Sequence, residues 1–186
     1  MTARNHRPDL DPSPKVSDDK QKLGFRPPTA DDGPAINALI ARCPPLDTNS
    51  LYCNLLQASH FADCCILAEQ AGRTVGWISG YRLPDDPQTL FVWQVAVDAR
   101  ARGRGLAGSM LEALLSRPSL ADIRQVQTTI TPSNKASWGL FRRLAASVGT
   151  GIRDRALFDG ATHFGGGHES EHLVTIGPLT PVRAAV

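Results

Sequence analysis

Residues 1–22 mix proline, aspartate, lysine and serine with almost no apolar side chains, and the pattern changes at Leu23. Such a segment buries too little surface to offset the entropy of ordering it. Residues 1–22 are therefore expected to be a flexible tail and 181–186 a second, with 23–180 forming one folded domain. Residues 23–28 fit a short strand. Thr29 and Asp32 make a partial capping box, and Ile36, Leu39 and Ile40 follow at helical spacing until Pro44 and Pro45 stop the helix. A second helix should begin at Asn49 or Ser50 with Tyr52, Leu55, Leu56 and Phe61 inward. Residues 64–69 and 74–81 fit two strands around a turn containing Gly72, and the two prolines and two aspartates of 83–88 predict a loop. The run TLFVWQVAV, 89–97, is the most β-prone in the chain and fits a central strand. Leu106, Met110, Leu111, Leu114 and Leu115 predict a helix over 106–117, and alternation predicts a strand over 126–131. Trp138, Phe141 and Leu144 share one face of a helix over 134–146. Residues 155–158 and 171–176 fit final strands, with a Gly- and His-containing segment, 159–170, between them. The order β-α-α-β-β-β-α-β-α-β-β is that of a layered α/β domain.

With 186 residues, 41% of them hydrophobic, the chain can bury one core. A net charge of +2 offers no concentrated basic surface, so nucleic acid is not expected as a partner. No apolar run approaches the roughly 20 residues of a membrane span, so neither a membrane partner nor a signal peptide is expected. Cys43, Cys53, Cys64 and Cys65 form no C-x-x-C pair and lie in apolar runs, which predicts buried thiols in a reducing, cytoplasmic setting. His163, His168 and His172 lack a clear fourth ligand, so no metal is expected.

The most specific segment is VAVDARARGRGLAGSMLEALL, 95–115. A strand ends at Val97, a loop carries Arg100-x-x-Gly103-x-Gly105, and a helix opens near Leu106. A helix N-terminus presents unpaired N–H groups and the positive end of its dipole, which suits a pyrophosphate. Glycines let the backbone approach closely, and Arg100, Arg102 and Arg104 add charge. The pattern lacks the lysine of a P-loop and the third glycine of a dinucleotide fingerprint. Followed by Ala107, and with ITPSNKASWGLF (130–141) downstream, it resembles the acetyl-CoA signature of the GNAT acetyltransferases. The resemblance implies a GNAT fold, a mixed and mostly antiparallel sheet flanked by helices, with strands 4 and 5 splayed around the pantetheine arm of acetyl-CoA. The implied cofactor contacts are Val95, Ala96 and Val97 for the pantetheine and Arg102, Gly103, Arg104, Gly105, Leu106 and Ala107 for the pyrophosphate. Asn134, Ser137 and Phe141 would line the arm from the next helix.

The segments PLDTNSLY (45–52), His60-Phe61, LFVWQVAV (90–97), TTITPSN (128–134), His163-Phe164 and Ile176-Gly177-Pro178 are similar to the diaminobutyrate acetyltransferases of ectoine biosynthesis. This resemblance spans about 24–179 and implies acetyl transfer to the γ-amine of L-2,4-diaminobutyrate, a homodimer and a link to osmotic stress. It assigns Asp47, Tyr52 and Trp93 to the acceptor pocket, and Asn49 and His168 are expected to bind the acceptor beside them. A carboxylate suits the α-ammonium of such an acceptor, and aromatic walls order its aliphatic part and add cation–π attraction. Residue by residue, Asp47 also fits a helix entry, and Tyr52 and Trp93 also fit core packing.

An alkyl ammonium with a pKa near 10.4 must lose its proton before attack, at roughly 4–5 kcal/mol at pH 7. Trp93, Val95 and Glu169 form the expected catalytic set, with a backbone N–H near Val95 meeting the oxyanion and Glu169 selected among the base candidates Glu169, Glu171, His163 and His168. Where the family often places a proton-donating Tyr, this chain has Phe141. An acetyltransferase for another amine, and a non-catalytic acyl-CoA-binding regulator, are the competing readings.

Overall fold

The structure, a computed structural model, describes residues 23–180, and both expected tails lie outside the described residues. Strand β1 (Gly24–Arg26) enters helix α1 (Gly33–Ala41) through a 3-10 turn, in which the Asp32 carboxylate accepts from the Thr29 N–H at 2.7 Å. Helix α2 (Leu51–Ser59) is capped by Ser50, whose hydroxyl accepts from the Cys53 N–H at 3.1 Å. A meander follows of β2 (Ile66–Gln70), β3 (Arg73–Leu83) and β4 (Asp86–Val97). The chain continues through α3 (Leu106–Leu115), β5 (Gln125–Ile130), α4 (Lys135–Ser147), β6 (Ile152–Phe158), a short α5 (Gly160–Phe164) and β7 (Glu171–Ile176). One sheet runs β1-β2-β3-β4-β5-β7-β6, with β4 and β5 parallel and every other pair antiparallel. This is the expected α/β architecture with a mixed, mostly antiparallel sheet.

The sheet separates two apolar layers. On one face α3 and α4 bury Met110, Leu111, Leu114, Phe141 and Leu144 over strand residues such as Leu90, Val92 and Val174. On the other, α1 packs Ile36, Leu39 and Ile40 against Leu67, Trp77 and Ala96. Each fully buried aliphatic side chain contributes about 1.5–3 kcal/mol relative to exposure. All four cysteines are free, three of them buried and Cys53 half-buried.

Several elements depart from expectation. Residues 83–88 are not a loop: Leu83 pairs with Asp86, so Pro84 and Asp85 alone make the turn and β4 begins at Asp86. The turn residues Ala71 and Gly72 both have positive φ, 51° and 70°, the twist-matched geometry of a two-residue hairpin. The inner face of α2 is Asn54, Gln57 and Ala58, while Tyr52 and Phe61 are exposed and Leu55 and Leu56 half-buried. Polar side chains can take that face because they pair: Asn37 donates to the Asn54 side chain at 2.9 Å, and Asn54 to that of Gln57 at 3.3 Å. Helix α3 stops at Leu115, and β6 begins earlier than expected, at Ile152. Segment 159–170 contains α5, capped by Asp159, whose carboxylate accepts from the N–H groups of Ala161 and Thr162. Strand β7 spans Glu171–Ile176 as expected, and His168, Glu169 and Ser170 precede it.

Candidate active site

Strands β4 and β5 pair at three positions, Thr89 with Gln125, Leu90 with Val126 and Phe91 with Gln127. Beyond these β4 runs on to Val97 and β5 to Ile130 without further pairing between them. A bulge marks the divergence. Ser79 pairs with Gln94 but Gly80 with Val92, so Trp93 has no partner on β3. The extra residue bends the strand, and a cleft opens inside the sheet, edged by the backbone of β4 from Trp93 to Val97. Ala96 turns its methyl into the α1 layer and offers the cleft only backbone. The Val97 carbonyl already accepts from Arg102 Nε at 2.9 Å and Cys43 Sγ at 3.3 Å, which makes it a poor second acceptor for a ligand amide. No such contact engages Val95.

At the wide end of the cleft lies the Arg- and Gly-rich loop. Asp98 anchors it: its carboxylate accepts from the Arg100 N–H at 3.0 Å and from Arg100 Nε at 3.1 Å, and these bonds hold its pKa down at about 2. Gly103 and Gly105 have φ of 75° and 77°, and nothing lies within 4 Å of where a Cβ would stand at either. These positions need glycine for backbone conformation, and the space beside them is open to a ligand. Gly105 is the N-cap of α3 and no side chain caps that helix, in contrast to α2 and α4. The first-turn N–H groups of α3, including those of Leu106 and Ala107, have no helical partner and form the positive end of the helix dipole. Arg102, Gly103, Arg104 and Gly105 are all exposed beside them.

Helix α4 begins where β5 ends, across the cleft from α3. Asn134 caps it through Oδ1, accepting from the Ser137 N–H at 3.0 Å, so this side chain secures the helix. Trp138 Nε1 donates to the Thr131 carbonyl at 3.2 Å. Phe141 is 2% exposed and packs in the α3–α4 layer, so the position expected to line the cofactor arm presents no side-chain proton to the cleft.

On the opposite face, the loop between α1 and α2 brings Asp47 and Asn49 toward β4. Tyr52 is 69% exposed and Trp93 47%, so neither is a core residue; Trp93 stands edge-on to Tyr81 at 6.3 Å. Asp47 does not enter the α2 cap, which belongs to Ser50. Its carboxylate is in electrostatic reach of Glu171 at the start of β7. Glu171 is the chemically distinctive group here. Burial raises its pKa, and Asp47 and Glu169 add to the rise, while His168 and the Thr129 hydroxyl oppose it. Its Oε2 is buried without a partner, and its Oε1 lies 4.0 Å from His168 Nε2.

Glu169, expected as the base, is exposed and accepts from the Ser133 N–H at 3.3 Å. His163 is turned into the α5 cap, where Nδ1 accepts from the Asp159 N–H at 2.8 Å. Asn49 points its amide not into open space but at Gln94, at 3.2 Å. The sequence signal for Glu171 was present, since it was one of four base candidates, but its burial depends on the β5–β7 pairing and leaves no mark in local pattern.

A sheet parted between two parallel strands, with an uncapped helix N-terminus at the opening, defines an acyl-CoA-type transferase site. The chain matches the family model of the acetyltransferase (GNAT) family over residues 34–146 and belongs to that family. Within it, the chain groups with the L-2,4-diaminobutyric acid acetyltransferases. It is 53% identical to that of Methylotuvimicrobium alcaliphilum over 84% of this chain and 91% of the relative, and 46% identical to that of Chromohalobacter salexigens over 97% of each. Among solved structures it is similar to the diaminobutyrate acetyltransferase of Paenibacillus lautus in complex with L-2,4-diaminobutyric acid and coenzyme A, with a TM-score of 0.82 and 38% identity, covering 88% of this chain and 99% of that one. The ribosomal-protein-S18-alanine N-acetyltransferase of Escherichia coli, 15% identical with a TM-score of 0.64, shares the fold.

Proposed function

We infer that the chain transfers the acetyl group of acetyl-CoA to the γ-amine of L-2,4-diaminobutyrate, by direct attack of the neutral amine on the thioester. The observation that carries this reading is the cleft itself. One end meets the uncapped N-terminus of α3; toward the other, Trp93 stands at the bulge of β4, and Asp47 lies within electrostatic reach of the half-buried Glu171. The relatives with matching names support the acceptor.

Acetyl-CoA supplies the acetyl thioester when bound. The N–H groups from Arg102 to Ala107 and the exposed arginines hold its pyrophosphate, and the β4 backbone at Val95 holds its arm. Asp47 takes the α-ammonium of the acceptor, Tyr52 and Trp93 wall its methylene chain, and Glu171 receives the γ-ammonium proton. The raised pKa of Glu171 narrows the gap to the ammonium's and makes that transfer less uphill. The Val95 N–H meets the acetyl oxygen as charge gathers on it. As the N–C bond forms and the C–S bond breaks, no tyrosine at position 141 protonates the sulfur, so that proton comes from the product ammonium or solvent.

The reading includes a step of ectoine biosynthesis under osmotic stress, a cytoplasmic location and a homodimer. Exposed Phe158, at the end of the edge strand β6, and Phe164, at the end of α5, offer a surface for a second copy. Among the described residues no helix is long and apolar enough to cross a membrane. The deciding experiment follows thiol release from acetyl-CoA with L-2,4-diaminobutyrate, ornithine, lysine and spermidine, and locates the acetyl group by NMR. Acetyl on the γ-nitrogen of diaminobutyrate, with slow turnover of the others, supports the assignment. Turnover of another amine alone keeps the class and overturns the acceptor, and coenzyme A binding without turnover favours a regulatory module.

A further inference from the structure

The loop that carries Asp47 is tied to the cleft strand through one side chain. Gln94 lies between Trp93 and Val95, and it is 8% exposed. The bulge at Trp93 resets the alternation of β4, so Gln94 turns to the α1–α2 face while Val92 and Val95 face the α3–α4 layer. Gln94 Nε2 donates to the Asp47 carbonyl at 2.8 Å, and Gln94 Oε1 accepts from Asn49 Nδ2 at 3.2 Å. From the other side, Asn37 Nδ2 donates to the Asn49 carbonyl at 3.0 Å and to Asn54 Oδ1 at 2.9 Å. Both halves of one buried amide are thus committed to two residues of a single loop.

We propose that Gln94 is the positioning residue that registers the acceptor loop against the reacting end of the cleft. The proposal rests on the assignment of Asp47 to the acceptor site. Gln94 shares a strand with Trp93 and Val95, so its clamp fixes the distance between the group that takes the acceptor's ammonium and the groups beside the thioester. Stability alone does not call for a glutamine here: Asp47 is exposed and Asn49 half-buried, so water can take over both hydrogen bonds, while an apolar side chain of similar volume avoids the desolvation of a buried amide. Reactivity does, since small misplacements of a reacting group lower rates by on the order of a hundredfold.

The test compares wild type with Gln94→Met and Gln94→Glu, varying amine and acetyl-CoA separately. Gln94→Met keeps the volume and removes both hydrogen bonds. We expect kcat/KM for the amine to fall ten- to a hundredfold, at the order of magnitude that misplacement produces, with the KM for acetyl-CoA and the Tm little changed. Unchanged amine kinetics, or a parallel rise of the acetyl-CoA KM with loss of Tm, would overturn the proposal. Gln94→Glu supplies a pH signature: the neutral carboxyl can still donate to the Asp47 carbonyl, whereas the carboxylate cannot. The ratio of wild-type to variant kcat/KM should widen as the introduced carboxyl ionises, between pH 4 and pH 8 given an ordinary value of about 4.3 that burial raises, and a flat ratio across that window argues for a merely structural role. Hydrogen exchange gives a readout that needs no amine. Amides of residues 46–50 should exchange faster in Gln94→Met while those of α3 do not change. If wild type ignores diaminobutyrate, the acceptor assignment fails, and loop exchange still decides the clamp: equal exchange in the two proteins sinks it.

Discussion

Replacing Glu171 with Gln removes a proton acceptor while keeping the shape of the side chain. At pH 7, an amine of pKa near 10.4 is neutral in about 1 molecule in 2,500, an uphill step of about 4.6 kcal/mol. With Glu171 in place the bound ammonium can pass its proton within the site. Without it the variant must capture the rare neutral amine from solution. The expected loss in kcat/KM at pH 7 is about 10²–10³-fold, or roughly 3–4 kcal/mol. The pH profile is more telling than the loss. The variant should gain almost tenfold per pH unit toward the amine pKa, whereas wild type levels off once Glu171 is ionised, above the usual carboxylate range because burial raises its pKa. Stability should move the other way. A carboxylate whose folded pKa is raised destabilises the native state once pH exceeds that pKa, and the effect vanishes below the unfolded value. Glu171→Gln should therefore melt no lower than wild type at pH 8 and lose that advantage as pH falls below the carboxylate range. Stopped thiol-release assays from pH 6 to 10, with parallel melts, read both effects. A variant within threefold of wild type at pH 7, with the same profile, would refute the role given to Glu171.

Gly103→Ala and Gly105→Ala meet no steric obstacle but force an L-residue to φ near 75°, at about 1–2 kcal/mol each. Melting should fall by a few degrees, and titration kinetics should show the acetyl-CoA KM rising about tenfold with the amine KM unchanged. Trp93→Ala and Tyr52→Ala remove exposed rings, so melts should barely change while the amine KM rises severalfold, as loss of a cation–π contact of about 1–2 kcal/mol requires. Asp32, held at about 2 mainly by hydrogen bonds to Arg26, adds stability that is full above the unfolded carboxylate pKa and is lost as pH falls through about 4 toward 2. Arg26→Met should cost about 1 kcal/mol near pH 7, after allowing for the part-exposed guanidinium, and the difference in denaturant midpoints should close by pH 2.

The elements that read best from sequence are those whose periodicity and function agree. TLFVWQVAV marks the central strand, and the Arg-Gly loop marks the turn into the uncapped N-terminus of α3. Elsewhere local signals mislead for identifiable reasons. Pro84 and Pro87 in 83–88 suggest a loop, but a two-residue turn needs only Pro84 and Asp85, and the pairing of Leu83 with Asp86 is set by β3. The inner face of α2 is polar because Asn37 reaches it from another helix, which hydrophobic spacing cannot register. Glu169 and Glu171 look equivalent in sequence. Only the β5–β7 pairing, with Leu173 opposite Thr129, separates the exposed carboxylate from the half-buried one. Tyr52 and Trp93, which fit either core or pocket in sequence, are exposed and therefore not core residues.

An open seven-stranded sheet ordinarily has two rims, but parting β4 from β5 gives this one four. The inner pair carries the same ladder of unmatched donors and acceptors that lets exposed sheet rims recruit foreign chains and aggregate. Here that ladder is sunk between helix layers, with α3 and α4 on one side and the α1–α2 loop on the other. A polypeptide strand entering it would have to seat a side chain on alternate faces, into space those layers occupy. A slender arm whose β-alanine and cysteamine stretch bears amides but no side chains faces no such obstacle. On this view the discrimination between a pantetheine and a peptide is made by bulk and not by hydrogen-bonding chemistry, which the two share.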